Sequence, residues 1–181
     1  EFNNLEHEHI SYGTLNDSDG NPFKTRDGGT KPLSELFNET YEYIKKINDE
    51  LDDSIISQLT NSVLTYSDLI TNRKTDYKFD LEKFTNVNGK TGIYVQYSQV
   101  RAKKLLENFE FKNSELNSLT LNDTDKELLS KLYLFCYFLE QSALLNEPHH
   151  LANYLYEISS LFNQFYESEK ILEINDSNHL S

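Results

Sequence analysis

Residues 72–106 read NRKTDYKFDLEKFTNVNGKTGIYVQYSQVRAKKLL, and the change of pattern inside this stretch decides how the chain is built. Its first part is irregular, with apolar positions alternating over short distances and two Gly interrupting it. Such punctuation argues for turns and short extended pieces. From residue 92 onward, Tyr94, Tyr97, Val100, Arg101, Leu105 and Leu106 set a helix that ends near residue 108, because apolar residues recurring at three and four define one helical face.

Helices are expected on both sides of it. Upstream, one begins near Pro32 or Leu33, since Pro is tolerated in a first helical turn. Its face is Leu33, Leu36, Phe37, Tyr41, Ile44 and Ile47. A second covers about residues 53–71 with Ile55, Ile56, Leu59, Val63, Leu64 and Leu69. Downstream, a helix over about 124–145 opens with Thr124 and Glu127 as a capping box. Leu128, Leu129, Leu132, Phe135, Cys136, Leu139 and Leu144 form its expected core face. Pro148 marks the start of the last helix, driven to about residue 168 by Leu151, Leu155, Ile158, Phe162 and Phe165. A polar tail follows.

The N-terminus differs. Four of the six Gly and two of the three Pro fall in the first 32 residues. Residues 8–15 (EHISYGTL) are β-prone and run into the turn-rich loop NDSDGNPFKTRDGGTKP. A strand without partners is not stable alone, so this piece is expected to be the remnant of a larger sheet. The fold class predicted is therefore mainly α: antiparallel helices joined by short links, with a strand-loop remnant in front.

At 181 residues and 21.2 kDa the chain can hold one good core, or one domain and an appendage. Phe 11 and Tyr 12 argue for packed structure rather than disorder. No apolar run reaches the length of a bilayer span, and no signal peptide is evident. The lone Cys136 excludes an internal disulfide and is expected to be core filler on a buried face. A cytoplasmic location is the expectation, with no membrane partner.

The net charge of −13 pulls against nucleic-acid binding, which draws on Lys and Arg contacts to phosphate. Small basic clusters survive in this background, Arg73-Lys74 with Lys78 and Arg101 with Lys103-Lys104. By charge alone they read as solvated helix faces. In the loop, Lys24 and Arg26 lie between Gly20 and Gly28-Gly29, a basic turn able to meet phosphate. It lacks the spacing of a Walker loop. His7 and His9 share a face of the β-prone stretch without further ligands, and His149-His150 are expected to diverge on a helix, so no metal site is predicted.

These residues carry a family resemblance. FKTRDGGT, after YGTL and DSDGNP, resembles the second signature loop of class I aminoacyl-tRNA synthetases in the form of the arginine-specific enzymes. That loop usually reads KMSKS or KMSTRKG and closes over the ATP triphosphate. Pro22 stands in place of its leading Lys and Lys24 in place of its first Ser, while Thr25, Arg26 and Gly28 match the longer form. The stretch 72–106 is similar to the same family at Asp76, Tyr77, Phe79, Asp80, Gly89, Thr91, Tyr94, Gln96, Tyr97 and Arg101. LANYLYEISSLFNQFYES, residues 151–168, continues the likeness, which is weakest over 107–127.

The resemblance implies a helical anticodon-binding domain of the DALR type behind the end of a Rossmann-type catalytic domain. It implies a division into residues 1–32 (end of the catalytic domain), 33–80 (linking, stem-contact helices) and 81–181 (anticodon-binding helices, lacking the family's final helix). Lys24 and Arg26, with Thr25 and Gly28, would serve as the ATP phosphate loop. Tyr94, Tyr166, Arg101 and the loop residues Lys83, Asn86 and Asn88 would meet the anticodon of an arginine tRNA. ATP with Mg and arginine would be bound only by the full enzyme, and DNA not at all. No HIGH-like motif occurs here, so the segment alone is expected to be inactive. The other reading of the chain is an acidic helical module that binds a protein partner.

Overall fold

Helix α1 (Leu33–Ile47) starts directly after Pro32, whose carbonyl accepts the Glu35 and Leu36 amides at 2.9 and 3.1 Å. Glu35 in its first turn and Lys45 and Lys46 in its last complement the helix dipole. In this computed structural model the described residues are 7–16, 20, 32–108 and 121–168. Helix α2 (Asp53–Ile70) returns along α1, with Tyr41 and Lys45 both reaching Asp53, at 2.8 and 3.0 Å. Its inward stripe is Ile56, Thr60, Val63, Tyr66 and Ser67. Ile44, Ile56, Val63 and Phe84 form the buried core, with Leu59, Phe79 and Ile93 packed against it. Phe84 comes from a short helix, α3 (Leu81–Phe84), which the sequence pattern did not reveal; Asp80 caps it by accepting the Lys83 amide at 3.0 Å.

Helix α4 (Gly92–Asn108) enters against α2 at close range. A Cβ on Gly92 would run into the carbonyl of Ser62, so only glycine lets the two backbones approach this way. Beyond it come α5 (Asp123–Tyr133), α6 (Phe135–Leu144) and α7 (His149–Ser168). Helix α7 is central and packs against α2, α4, α5 and α6. The buried Tyr66 hydroxyl donates to the Ala152 carbonyl at 2.9 Å and ties α2 to it. Helix α1 runs antiparallel to α2, and α5 and α6 run antiparallel to α7, whereas α4 and α7 run in the same direction: Tyr94 meets Tyr156, Ser98 meets Asn163 and Arg101 meets Glu167.

The strand piece finds a partner within the chain. Of residues 8–15 only the end pairs: β1 (Leu15–Asn16) lies parallel to β2 (Tyr77–Lys78), Leu15 opposite Tyr77 and Asn16 opposite Lys78. The Thr14 amide donates to Asp76 at 2.7 Å and the Tyr77 amide to the Thr14 carbonyl at 3.0 Å. A Cβ on Gly13 would lie 2.5 Å from the Thr75 backbone, so this seam also depends on a glycine. Arg73 fastens the seam to the turn before α7, donating to the carbonyls of Ser11 and Asn146. The expectation of a partnerless strand is corrected accordingly.

Three expectations about the fourth predicted helix are also corrected. It divides at Leu134 into α5 and α6. Its capping box is Asn122 with Asp125, each side chain bonded to the other's amide at 2.9 Å, rather than Thr124 with Glu127. Its apolar residues do not all face the core: Cys136 is exposed, as are Leu129, Leu132, Phe135, Leu139 and Leu144. The helix is apolar around much of its circumference, and α7 covers one side of it. The loop residues Lys24, Thr25, Arg26 and Gly28, and the tail 169–181, lie outside the described residues.

Candidate nucleic-acid interface

Beside an apolar seam of Val95, Ala102, Leu155 and Ile158, α4 and α7 also meet through polar and aromatic residues. Arg101 lies between two rings, its guanidinium carbon 4.3 Å from the centroid of Tyr97 and 4.8 Å from that of Tyr166. One of its nitrogens donates to Asn163 at 3.1 Å and to Glu167 at 3.2 Å. The buried Asn163 amide in turn donates to the Ser98 hydroxyl at 2.8 Å, and that hydroxyl to the Tyr94 carbonyl at 3.0 Å. The guanidinium thus lies over a ring from each helix, and one of its nitrogens is held by two acceptors on α7. Arg suits this place because its planar fork stacks and donates at once. Tyr97 is exposed and Tyr166 half-buried, so the stack has faces open to solvent.

At the other end of the same face, Tyr94 packs on Tyr156 with ring centroids 5.5 Å apart. The preceding loop is held by its own side chains. Thr91 donates to the Asn86 carbonyl at 2.7 Å, and the Asn86 side chain accepts the Asn88 amide at 2.8 Å. The Tyr94 amide donates to the Thr91 hydroxyl at 3.2 Å, which joins this loop to α4. Lys83 extends over the ring of Phe84, 5.6 Å from its centroid.

A second cluster sits where α7 begins. The rings of His149 and His150 are 4.2 Å apart, not diverging as expected. Glu147 accepts from Lys74 at 2.9 Å and lies 3.2 Å from His150. The hydrogen bond from Lys74 holds the Glu147 carboxyl below the usual carboxylate range. Burial, then the neighbouring His150, pushes His149 down, and its Nδ1 has no hydrogen-bond partner. Glu147, His149 and His150 bring possible ligand atoms within 4.8 Å of one another. Lys74 and the N-terminus of α7 already place positive charge there, which opposes a metal ion.

Residues 95–180 match the family described as the DALR anticodon binding domain, and residues 2–81 match tRNA synthetases class I (R), catalytic domain. The chain is 38% identical over 177 residues to the arginine–tRNA ligase of Francisella tularensis subsp. novicida, a match covering 93% of this chain. The chain belongs to the arginine–tRNA ligase family. The ligase of Pseudomonas fluorescens is 35% identical over 178 residues. The chain spans 30% of the length of the Francisella relative and 31% of the Pseudomonas one. Its fold is that of the corresponding part of Thermus thermophilus arginyl-tRNA synthetase, with a TM-score of 0.72 at 22% identity, over 87% of this chain and 27% of that one. Plasmodium falciparum arginyl-tRNA synthetase matches with a TM-score of 0.63 at 27% identity, over 76% of this chain and 27% of that one.

Within this member of the family, Arg101 and Tyr166 are in direct contact, and Tyr94 joins the loop carrying Asn86 and Asn88. Lys83 is joined to this face only through the loop; its own partners are Asp80 and the Phe84 ring. Sequence reasoning missed Tyr97 as a site residue, although its four-residue spacing from Arg101 signals a contact along one helix. It also missed Asn163 and Tyr156, which lie on another helix and carry no local signal. Among the described residues no helix is long and apolar enough to cross a membrane.

Proposed function

We propose that this chain is the anticodon-recognising part of a longer ligase that attaches arginine to its tRNA through an arginyl-adenylate. The observation that carries the reading is the Tyr97–Arg101–Tyr166 stack locked across α4 and α7. An unpaired base gains roughly 1–3 kcal/mol by stacking on an aromatic side chain, and a ring held in place by hydrogen-bonded neighbours gives up little freedom on binding. Tyr94, Tyr166, Arg101, Lys83, Asn86 and Asn88 are proposed to meet the anticodon loop. Arg101 acts chiefly by positioning the two tyrosines, since its guanidinium is already engaged.

Residues 1–32 are proposed as the end of the catalytic domain, 33–80 as linking helices and 81–181 as the anticodon-binding part. Lys24 and Arg26, with Thr25 and Gly28, are proposed by their charge and small size to meet the ATP triphosphate, which arrives with Mg. Arginine and ATP are proposed as substrates of the longer enzyme, the cytoplasm as its compartment, and neither DNA nor a membrane as a partner. The chain alone lacks a HIGH-like motif and is proposed to be inactive; arginine-dependent ATP–pyrophosphate exchange by the pure chain would overturn that.

The binding test is a titration of labelled arginine tRNA against the chain at low and moderate salt. Saturable binding that is weakened in Tyr94→Ala and Tyr166→Ala supports the reading. Equal affinity for arginine tRNA and a bulk tRNA mixture sinks it.

A further inference from the structure

Lys90, just before α4, is held differently from half of the Lys and Arg among the described residues. Lys45, Lys74, Arg101, Lys103, Lys126 and Lys131 each lie within 4.0 Å of a carboxylate. Lys90 is held by neutral groups: it donates to the Asn153 side chain at 2.9 Å and lies 5.4 Å from the centroid of the Tyr156 ring. The acid next to Tyr156, Glu157, is taken by Lys131. Tyr156 also packs on Tyr94, so Lys90 belongs to the face already described.

The difference is electrostatic. A carboxylate partner cancels a lysine's field, and in a chain of net charge −13 a cancelled cation attracts no polyanion. A ring and an amide oxygen orient the ammonium group without neutralising it, and the attraction of a lysine to an exposed ring is weak enough to yield to a stronger acceptor. Lys83, before the Thr85–Thr91 loop, shares the ring contact, on Phe84, without the amide oxygen. From Gly92 to Arg101 the helix rises about 14 Å, so a strand lying along α4 would pass from Lys90 to the Tyr97–Arg101–Tyr166 stack.

We propose that Lys90, oriented by Asn153 and the Tyr156 ring, contacts a phosphate of the RNA strand that lies along the α4–α7 face. The proposal rests on the reading of that face as RNA-binding. Asn153 and Tyr156 are positioning residues here, and Lys90 supplies the charge.

The test measures binding of a labelled arginine-tRNA anticodon stem–loop to the whole 181-residue chain over a range of salt, with circular dichroism confirming that each variant folds. Lys90→Ala is expected to weaken binding several-fold and to reduce the slope of log affinity against log salt by about 0.7, the value for one single-strand phosphate contact. Asn153→Asp, which gives Lys90 a carboxylate, is expected to lower the slope although Lys90 remains, an effect that a merely structural lysine would not produce. Lys90→Arg keeps the slope. Lys45→Ala on α1 leaves it unchanged, and an equal loss there overturns the proposal by revealing a general charge effect. If Tyr166→Ala weakens binding while Lys90→Ala and Asn153→Asp leave the slope intact, the Lys90 contact is wrong and the RNA face stands. If the wild-type chain does not bind the stem–loop, both fall.

Discussion

Helix α7 has two differently built sides. Toward α4 it presents Asn163 and Tyr166, and the contacts there are directional: Arg101 donates to Asn163, Asn163 donates to Ser98, and the guanidinium lies over two tyrosine rings. Toward α6 it presents Tyr154, packed between Phe135 and Phe138 at centroid distances of 6.0 and 5.0 Å. Apolar packing stabilises in proportion to the area hidden and tolerates many arrangements. A hydrogen-bonded stack fixes one arrangement, because each unmet partner in a low-dielectric interior is costly. The α6 side should therefore dominate stability, and the α4 side should dominate recognition.

The sharpest attempt to break this contrast is Tyr154→Ala. Tyr154 is only 2% exposed, and removing a buried aromatic ring typically costs about 3–5 kcal/mol. Urea unfolding is expected to show that loss as a lower midpoint. A cost under about 1 kcal/mol would mean that α6 contributes little to the fold, and the contrast would fail.

On the other side, Asn163→Ala removes two hydrogen bonds, leaving the Ser98 hydroxyl with the Tyr94 carbonyl alone and the Arg101 nitrogen with Glu167 alone. The expected destabilisation is about 1–3 kcal/mol, smaller than for Tyr154. Its effect on RNA affinity should be the larger signal, about tenfold, as the loosened tyrosines lose stacking energy. If Asn163→Ala shifts the unfolding midpoint but leaves the affinity for arginine tRNA unchanged, the network is structural and the recognition half of the comparison is wrong.

The same contrast explains what was legible in the sequence. Helices α1, α2, α4 and α7 could be read because each needs one apolar stripe, and periodicity reports a stripe. The α5–α6 segment was read as one inward-facing helix because LYLFCYFL is apolar on several sides, and no period says which side α7 will cover. The break at Leu134 is equally silent. At residues 122–127 two capping patterns overlap, and the earlier one, Asn122 with Asp125, is the one formed. In the site, Tyr94, Arg101 and Tyr166 were reached through family resemblance, and the Tyr97 contact was available from spacing. Asn163 lies 62 positions from Arg101 and 65 from Ser98, so only the packing of α4 on α7 brings that network together. The partner of β1 was hidden for the same reason.

The joint at the start of α7 offers a weaker lever. The folded chain holds His149 below its ordinary value of 6.5, mainly through burial and then through His150, while Glu147 faces it and Lys74 adds positive charge. A group with a depressed folded pKa contributes its stability above the unfolded value, and that stability is lost as pH falls through the folded one. Melting temperature is therefore expected to decline modestly as pH drops below about 6.5, before the carboxylates titrate. His149→Gln should flatten that part of the curve. An identical decline in the variant would assign the pH dependence to other groups.

The smallest effect is expected at Cys136, which is exposed on α6. The sequence pattern placed it in the core, whereas the fold leaves it exposed. Cys136→Ser should change stability by no more than about 0.5 kcal/mol, as surface substitutions do. The native thiol should also react with a disulfide reagent as fast as in the unfolded chain once thiolate fraction is matched, because access is not limiting. Slow reaction together with a cost above about 1 kcal/mol would show that something covers this face of α6. The α6 side of the bundle would then be a second specified surface, and only the α5–α6 segment, not the α4–α7 face, would need a new account.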